Sequence, residues 1–227
     1  MINPPVSLYA SMSRLDRLFA SSIGPADAGI ERLYRQLYAQ LANLYRDSPG
    51  LPLDGSSLLA AAALELNSDA EMSAVIALSF RLELIDMFFL GDLYARTGVV
   101  VDPAHPPRPD DSLEGILQRL RALPFSEYFC KVFTPYYLQH RANASVTTLI
   151  AENRLQIIGQ QLRDNGDYYV QTNSNDLILD NTERQWLRDT LGGRIAVYDH
   201  GGHLGNLGER RQVADMLDML AGRWSSR

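Results

Sequence analysis

Asp167-Tyr168-Tyr169-Val170-Gln171-Thr172-Asn173-Ser174-Asn175-Asp176, and further on Arg194-Ile195-Ala196-Val197-Tyr198-Asp199-His200-Gly201-Gly202-His203, are the stretches that decide the fold class. Each contains a short run of β-formers bounded by Asn, Asp and Gly, which reads as a strand running into a loop. Between them Asp180 or Asn181 caps a helix whose apolar face includes Trp186, Leu187 and Leu191, and Gly192-Gly193 ends it. Asn206 with Glu209 three residues on reads as a capping box. It opens a last helix with Val213, Met216, Leu217 and Leu220 on one face. Strand–helix–strand–helix is the order of a parallel α/β layer.

Upstream of Asn165-Gly166 the period is helical almost throughout. Ile30, Leu33, Tyr34, Leu37, Tyr38, Leu41, Leu44 and Tyr45 recur at steps of three and four, and Ser48-Pro49-Gly50-Leu51-Pro52 breaks the run. Ser68 and Glu71 form a second capping-box pattern, heading a helix that runs to about Arg96 and is apolar on several faces. Arg81, Glu83 and Asp86 interrupt its most apolar window, so it reads as buried in protein and not as a bilayer span. Asp102 to Pro109 reads as a stiff, extended connector. Helices are expected over 112–122, 126–140 and 145–163. Cys130, inside the aromatic run 128–133, is expected to be a buried structural thiol. The division is three-part: 1–28 a strand remnant and lead-in, 29–165 a helical cap or lid, 166–227 the α/β end.

The 227 residues carry a formal net charge of −6, with Lys131 the only lysine, which argues against nucleic acid as a partner. Met1-Ile2-Asn3-Pro4-Pro5 is not a secretory signal, and no membrane span is expected. One cysteine leaves no internal disulfide and no cysteine-rich metal site, and fits a reducing, cytoplasmic setting. No metal and no cofactor are expected.

The chemistry is expected in the two loops. Asp176 follows the first strand and His203 the second, and in an open parallel sheet ligands gather outside the carboxyl ends of the strands. Adjacent parallel strands put these loops side by side, where a carboxylate fixes an imidazole's tautomer and stabilises the imidazolium formed in proton transfer. His200 is the rival histidine. Gly201, Gly202, Gly205 and Gly208 read as a tight turn around the histidine, with an anion site as the other reading.

Tyr168 to Trp224 resembles the C-terminal end of the α/β-hydrolase family. There the acid follows one late strand, the histidine follows the last, and a helix closes the fold. The resemblance implies that Asp176 is the triad acid and His203 the triad base, that the preceding helices correspond to a lid, and that Met1–Val6 corresponds to the strand following the nucleophile helix. It implies a small-molecule acyl substrate: an ester, a thioester or a lipid. The family's Gly-x-Ser-x-Gly elbow does not occur in this sequence. The nucleophile, the early strands and part of the oxyanion hole would lie before Met1. The chain alone is then expected to be inactive, its incomplete sheet covered by an N-terminal half or by an oligomer. The alternative is a non-catalytic helical interaction module with a hydrolase-like tail.

Overall fold

The computed structural model describes residues 1–23, 26–50, 69–141 and 144–224. The chain is mostly helical with a small parallel sheet, and it divides into two compact units. One is Met1–Arg14 with Ala144–Arg227, and the other is Leu15–Asn143. These units cut across the three-part division read from sequence. Residues 1–14 and 144–165 belong with the strands, and pairing of the opening residues explains why.

In the first unit β1 (Val170–Asn173) and β2 (Ile195–Tyr198) run parallel, with Val170 opposite Ile195 and Asn173 opposite Tyr198. On the other side of β1, Ile2 forms a parallel bridge to Gln171. The Gln171 amide donates to the Met1 carbonyl at 3.0 Å and the Asn3 amide donates to the Gln171 carbonyl at 2.7 Å. β1 is thus the inner strand, and every residue in it is buried, as expected for a parallel strand covered on both faces.

Val6–Leu8 then meet Asn153–Leu155 in a short antiparallel contact, the Leu155 amide donating to Val6 at 2.9 Å and the Leu8 amide to Asn153 at 3.1 Å. This contact breaks the helix expected over 145–163 into α7 (Val146–Glu152), a 3₁₀ turn (Leu155–Ile158) and α8 (Gly159–Asp164). The connecting helix α9 (Asn181–Leu191) carries a full capping box between Asp180 and Glu183 and ends at Gly192, φ 57°.

The last helix, α10 (Arg210–Leu220), departs from the sequence reading. Its N-cap is Glu209 with no side-chain cap bond, because the Asn206 side chain is engaged elsewhere. Its buried positions are Gln212, Asp215 and Met219, while Leu217 and Leu220 are exposed. The face of the sheet it meets is mixed, with Ala196 against Met219 and polar groups from Gln171 and Tyr198 beside them. Buried Gln171 donates to the Gln212 carbonyl at 3.1 Å and to the Tyr198 hydroxyl at 3.2 Å, and that hydroxyl donates to Asp215 at 2.9 Å. The Asp215–Tyr198 bond, together with Met219 packing on Ala196 and Tyr198, sets the rotation of this helix.

α1 (Leu8–Ile23) begins in the first unit and passes into the second. The second unit continues with α2 (Ala26–Asp47), α3 (Asp69–Ala95), α4 (Glu114–Ala122) and α5 (Phe125–Tyr128). A π-helical turn (Phe129–Phe133) then leads into α6 (Thr134–Gln139), so the helix read over 126–140 is widened at its centre. Ser68 lies outside the described residues. Cys130 is exposed, not buried: Phe129 and Val132 turn inward and leave the thiol on the outer side. Asp102–Pro109 is not simply extended, since the Asp102 carboxylate accepts from the Ala104 amide at 2.9 Å and folds a turn there. No helix among the described residues is long and apolar enough to cross a membrane.

Asp92, 1% exposed, organises the turn after α3. Its carboxylate accepts from the Thr97 hydroxyl and from the amides of Val99 (3.2 Å), Val100 (2.8 Å) and Val101 (2.7 Å). Burial alone would raise its pKa. The Thr97 hydroxyl and the Val101, Val100 and Val99 amides outweigh that and hold it below the usual aspartate value. A carboxyl with a depressed folded pKa stabilises the fold above its unfolded pKa of about 3.9, and that stability is lost as pH falls through the lower folded value. Asp92→Asn is therefore expected to cost about 2 kcal/mol at pH 7, because an amide N–H₂ replaces an acceptor facing buried amides. The gap to the parent protein, measured by urea unfolding, should close progressively below about pH 4. A gap independent of pH would contradict this.

Candidate acid–base site

The acid comes from the loop leaving β1. The Asp176 side chain is fully buried, one oxygen accepting from the Ile178 amide at 3.0 Å. Elements packed outside hold this loop. Ser11 of α1 donates to the Ile178 carbonyl at 2.9 Å, and Arg14 donates to the same carbonyl at 2.6 Å. Arg14 also bridges the α9 capping box, reaching Glu183 at 2.5 Å and Asp180 at 2.6 Å. Arg184 donates to the Leu179 carbonyl at 2.6 Å.

The base comes from the loop leaving β2. Nδ1 of His203 lies 3.3 Å from the second carboxylate oxygen of Asp176, and the imidazole is 34% exposed. The two loops thus meet at the carboxyl ends of neighbouring parallel strands, with the acid inside and the ring at the surface. Nε2 of His203 has no hydrogen-bond partner among the described residues. With the proton on Nδ1 and directed at the carboxylate, Nε2 presents a lone pair to whatever approaches from outside. The 3.3 Å separation is long for such a bond and matches the loose geometry typical of catalytic pairs without a bound reactant.

Asparagines fix the histidine loop. Asn173, at the end of β1, and Asn206 exchange reciprocal amide bonds at 2.8 and 2.9 Å. Asn173 also donates to the Gly202 carbonyl at 2.7 Å, Asn3 donates to the same oxygen at 3.1 Å, and Asn206 donates to the His200 carbonyl at 3.2 Å. Asn175, from the acid loop, accepts from the Gly202 amide at 2.9 Å. Gly201 (φ 124°) and Gly202 (φ 53°) make the turn, and a Cβ on Gly201 would come within 2.4 Å of the Asn206 side chain. The tight-turn reading of these glycines thus describes the loop.

His200 is exposed, and only its carbonyl is engaged. Ser174 points elsewhere, its hydroxyl donating to the Asp199 carbonyl at 2.8 Å. Among the described residues no group of three His, Cys, Asp or Glu side chains converges on a common point. Sequence reasoning singled out Asp176 and His203 but missed the residues that position them: Asn173, Asn206, Asn3, Ser11 and Arg14. Asn206 carried a signal, but its spacing to Glu209 made it read as a helix cap. Comparison with known protein families, curated proteins and solved structures finds no match for the chain.

Proposed function

We propose that this chain carries the acid–base end of an α/β-hydrolase, for hydrolysis of ester, thioester or related acyl substrates, and that the nucleophilic hydroxyl comes from polypeptide outside this sequence. In this reading His203 takes the hydroxyl proton at Nε2 as oxygen attacks the acyl carbonyl. It then returns the proton to the leaving group as the tetrahedral intermediate collapses. Asp176 holds the ring and balances the imidazolium. The observation that carries the reading is the approach of His203 to buried Asp176 across the tips of adjacent parallel strands. The chain order, acid before histidine, supports it.

The sheet also offers a place for the missing partner. Met1 and Asn3 turn their pairing groups to β1, so the N–H and C=O of Ile2 face the outer side, where they have no partner among the described residues. A strand added there in parallel would end on the same edge of the sheet as the Asp176 and His203 loops, with the Ile2 segment between it and β1. The helical unit, Leu15–Asn143, is inserted in sequence between this opening segment and the acid strand, the position of a lid in the family it resembles.

A fluorophosphonate probe tests the proposal. It is expected to label the natural polypeptide in which a strand–turn–helix segment precedes this chain, and to leave residues 1–227 alone unlabelled. Labelling of the isolated chain would place the nucleophile within it, and no labelling of the natural polypeptide would end the hydrolase reading.

A further inference from the structure

The turn between α8 and β1 holds Asn165-Gly166, the one Asn-Gly pair in the sequence. We infer that this pair is a site of self-modification, at which the Asn165 side chain cyclises onto the Gly166 nitrogen, and that Arg194 sets the rate.

The chemistry needs only water. The Gly166 nitrogen attacks the side-chain carbonyl carbon of Asn165, and a new C–N bond forms. The bond to the side-chain nitrogen breaks, and ammonia leaves carrying the Gly166 amide proton. Water then opens the five-membered imide at one of its two carbonyls. Opening at the former side-chain carbonyl gives aspartate. Opening at the main-chain carbonyl gives isoaspartate, with the backbone routed through the side chain and the α-carboxylate set free. The sum is ammonia lost and water gained, with no change of oxidation state.

Three features carry the inference. The first is access. Asn165 and Gly166 are exposed, and the Gly166 N–H has no hydrogen-bond partner among the described residues. Glycine also leaves the attacking nitrogen uncrowded. The second is the state of the carbonyl under attack. The Asp167 amide donates to Asn165 Oδ1 at 2.9 Å, which polarises that carbonyl toward the oxyanion formed on addition.

The third is the restraint. Asn165 stands at ψ 112°, which turns the Gly166 nitrogen away from the side chain, so the ring closes only after the 165–166 peptide plane rotates. Arg194 opposes that rotation. Its guanidinium donates to the carbonyls of Asn165 at 2.5 Å, Arg163 at 3.1 Å and Tyr168 at 3.3 Å. The planar fork thus clamps both sides of the turn. The Asn165 oxygen it grips is also an oxygen of the carboxylate freed in isoaspartate, and a guanidinium holds an anion more strongly than an amide. The modified chain therefore keeps its turn.

Neither Asp176 nor His203 takes part, so this site stands or falls apart from the hydrolase reading. The full chain is incubated in mildly alkaline buffer and digested with trypsin. Electron-transfer mass spectrometry of the peptide Asp164–Arg184 then separates aspartate from isoaspartate. Conversion is expected at Asn165 ahead of Asn173, Asn175 and Asn181 on the same peptide. Gly166→Ala keeps the fold, since its Cβ meets nothing within 4 Å. It should slow the reaction by about tenfold or more, because that Cβ crowds the attacking nitrogen. Arg194→Ala should speed it by roughly tenfold, the factor one charge-assisted hydrogen bond is worth. Should Arg194→Ala fail to fold by circular dichroism, the parent chain in urea supplies the released turn and should react faster than the folded chain. Conversion elsewhere but not at Asn165, or a rate unchanged in Gly166→Ala, would overturn the site. A released turn that reacts no faster than the parent would overturn the role of Arg194.

Discussion

Under the proposed hydrolase reading, His203→Ala is expected to lower acyl-ester turnover by about six orders of magnitude once a nucleophile-bearing segment is supplied, and Asp176→Asn by about four. These are the sizes seen when the base or the orienting acid of a serine triad is removed. The inequality follows from geometry. Loss of His203 removes the proton acceptor, whereas Asp176→Asn keeps the ring but offers it an N–H₂ group where it had a carboxylate, at 3.3 Å. The imidazole then turns its proton to Nε2 and has no lone pair for the hydroxyl. A long-range ¹H–¹⁵N spectrum of the isolated chain separates this from simple damage. His203 should be the Nδ1–H tautomer in the parent and the Nε2–H tautomer in Asp176→Asn. The same tautomer in both proteins, or a shared modest rate loss, would refute the pairing. Ala at His200, which is exposed and engaged only through its carbonyl, should leave turnover within about twofold of the parent.

How far such a site is legible in sequence depends on which forces are local. Both strands, the α9 cap at Asp180, one of the two capping residues read there, and the juxtaposition of Asp176 with His203 follow from short-range signals and strand polarity. The rotation of α10 does not. Periodicity predicts an inward apolar face with Leu217 and Leu220, yet Asp215 turns in to accept from the Tyr198 hydroxyl, Gln212 is buried beside it with its main-chain carbonyl accepting from Gln171, and Leu217 and Leu220 are left exposed. A pairing between residues distant in sequence leaves no periodic trace. The same holds for the break in the helix read over 145–163, which arises because Val6–Leu8 pair with Asn153–Leu155. The exposure of Cys130 turns on which side of a widened turn it occupies, and composition does not encode that.

The histidine loop is where a one-carbon change should do most. Gly201 has φ 124°, a conformation L-residues rarely adopt, and its missing side chain is the space that Asn206 fills. Gly201→Ala must therefore change the backbone and displace Asn206. The strained backbone costs about 1–3 kcal/mol and the overpacking about as much again, giving a loss of about 4 kcal/mol in chemical denaturation. The consequence for the site is separate from stability. Asn206 is paired twice with Asn173 and once with the His200 carbonyl, so its displacement releases the loop that aims His203. A shift of about 1 Å in a catalytic group costs about a hundredfold in rate, so turnover should fall at least that far at temperatures where the variant is still folded. Asn206→Ala in the Gly201→Ala background removes the clash but not the strain. It should recover part of the stability and none of the rate, because the amide pairing is gone. Recovery of both would mean that packing alone, and not the amide lattice, holds His203 against Asp176.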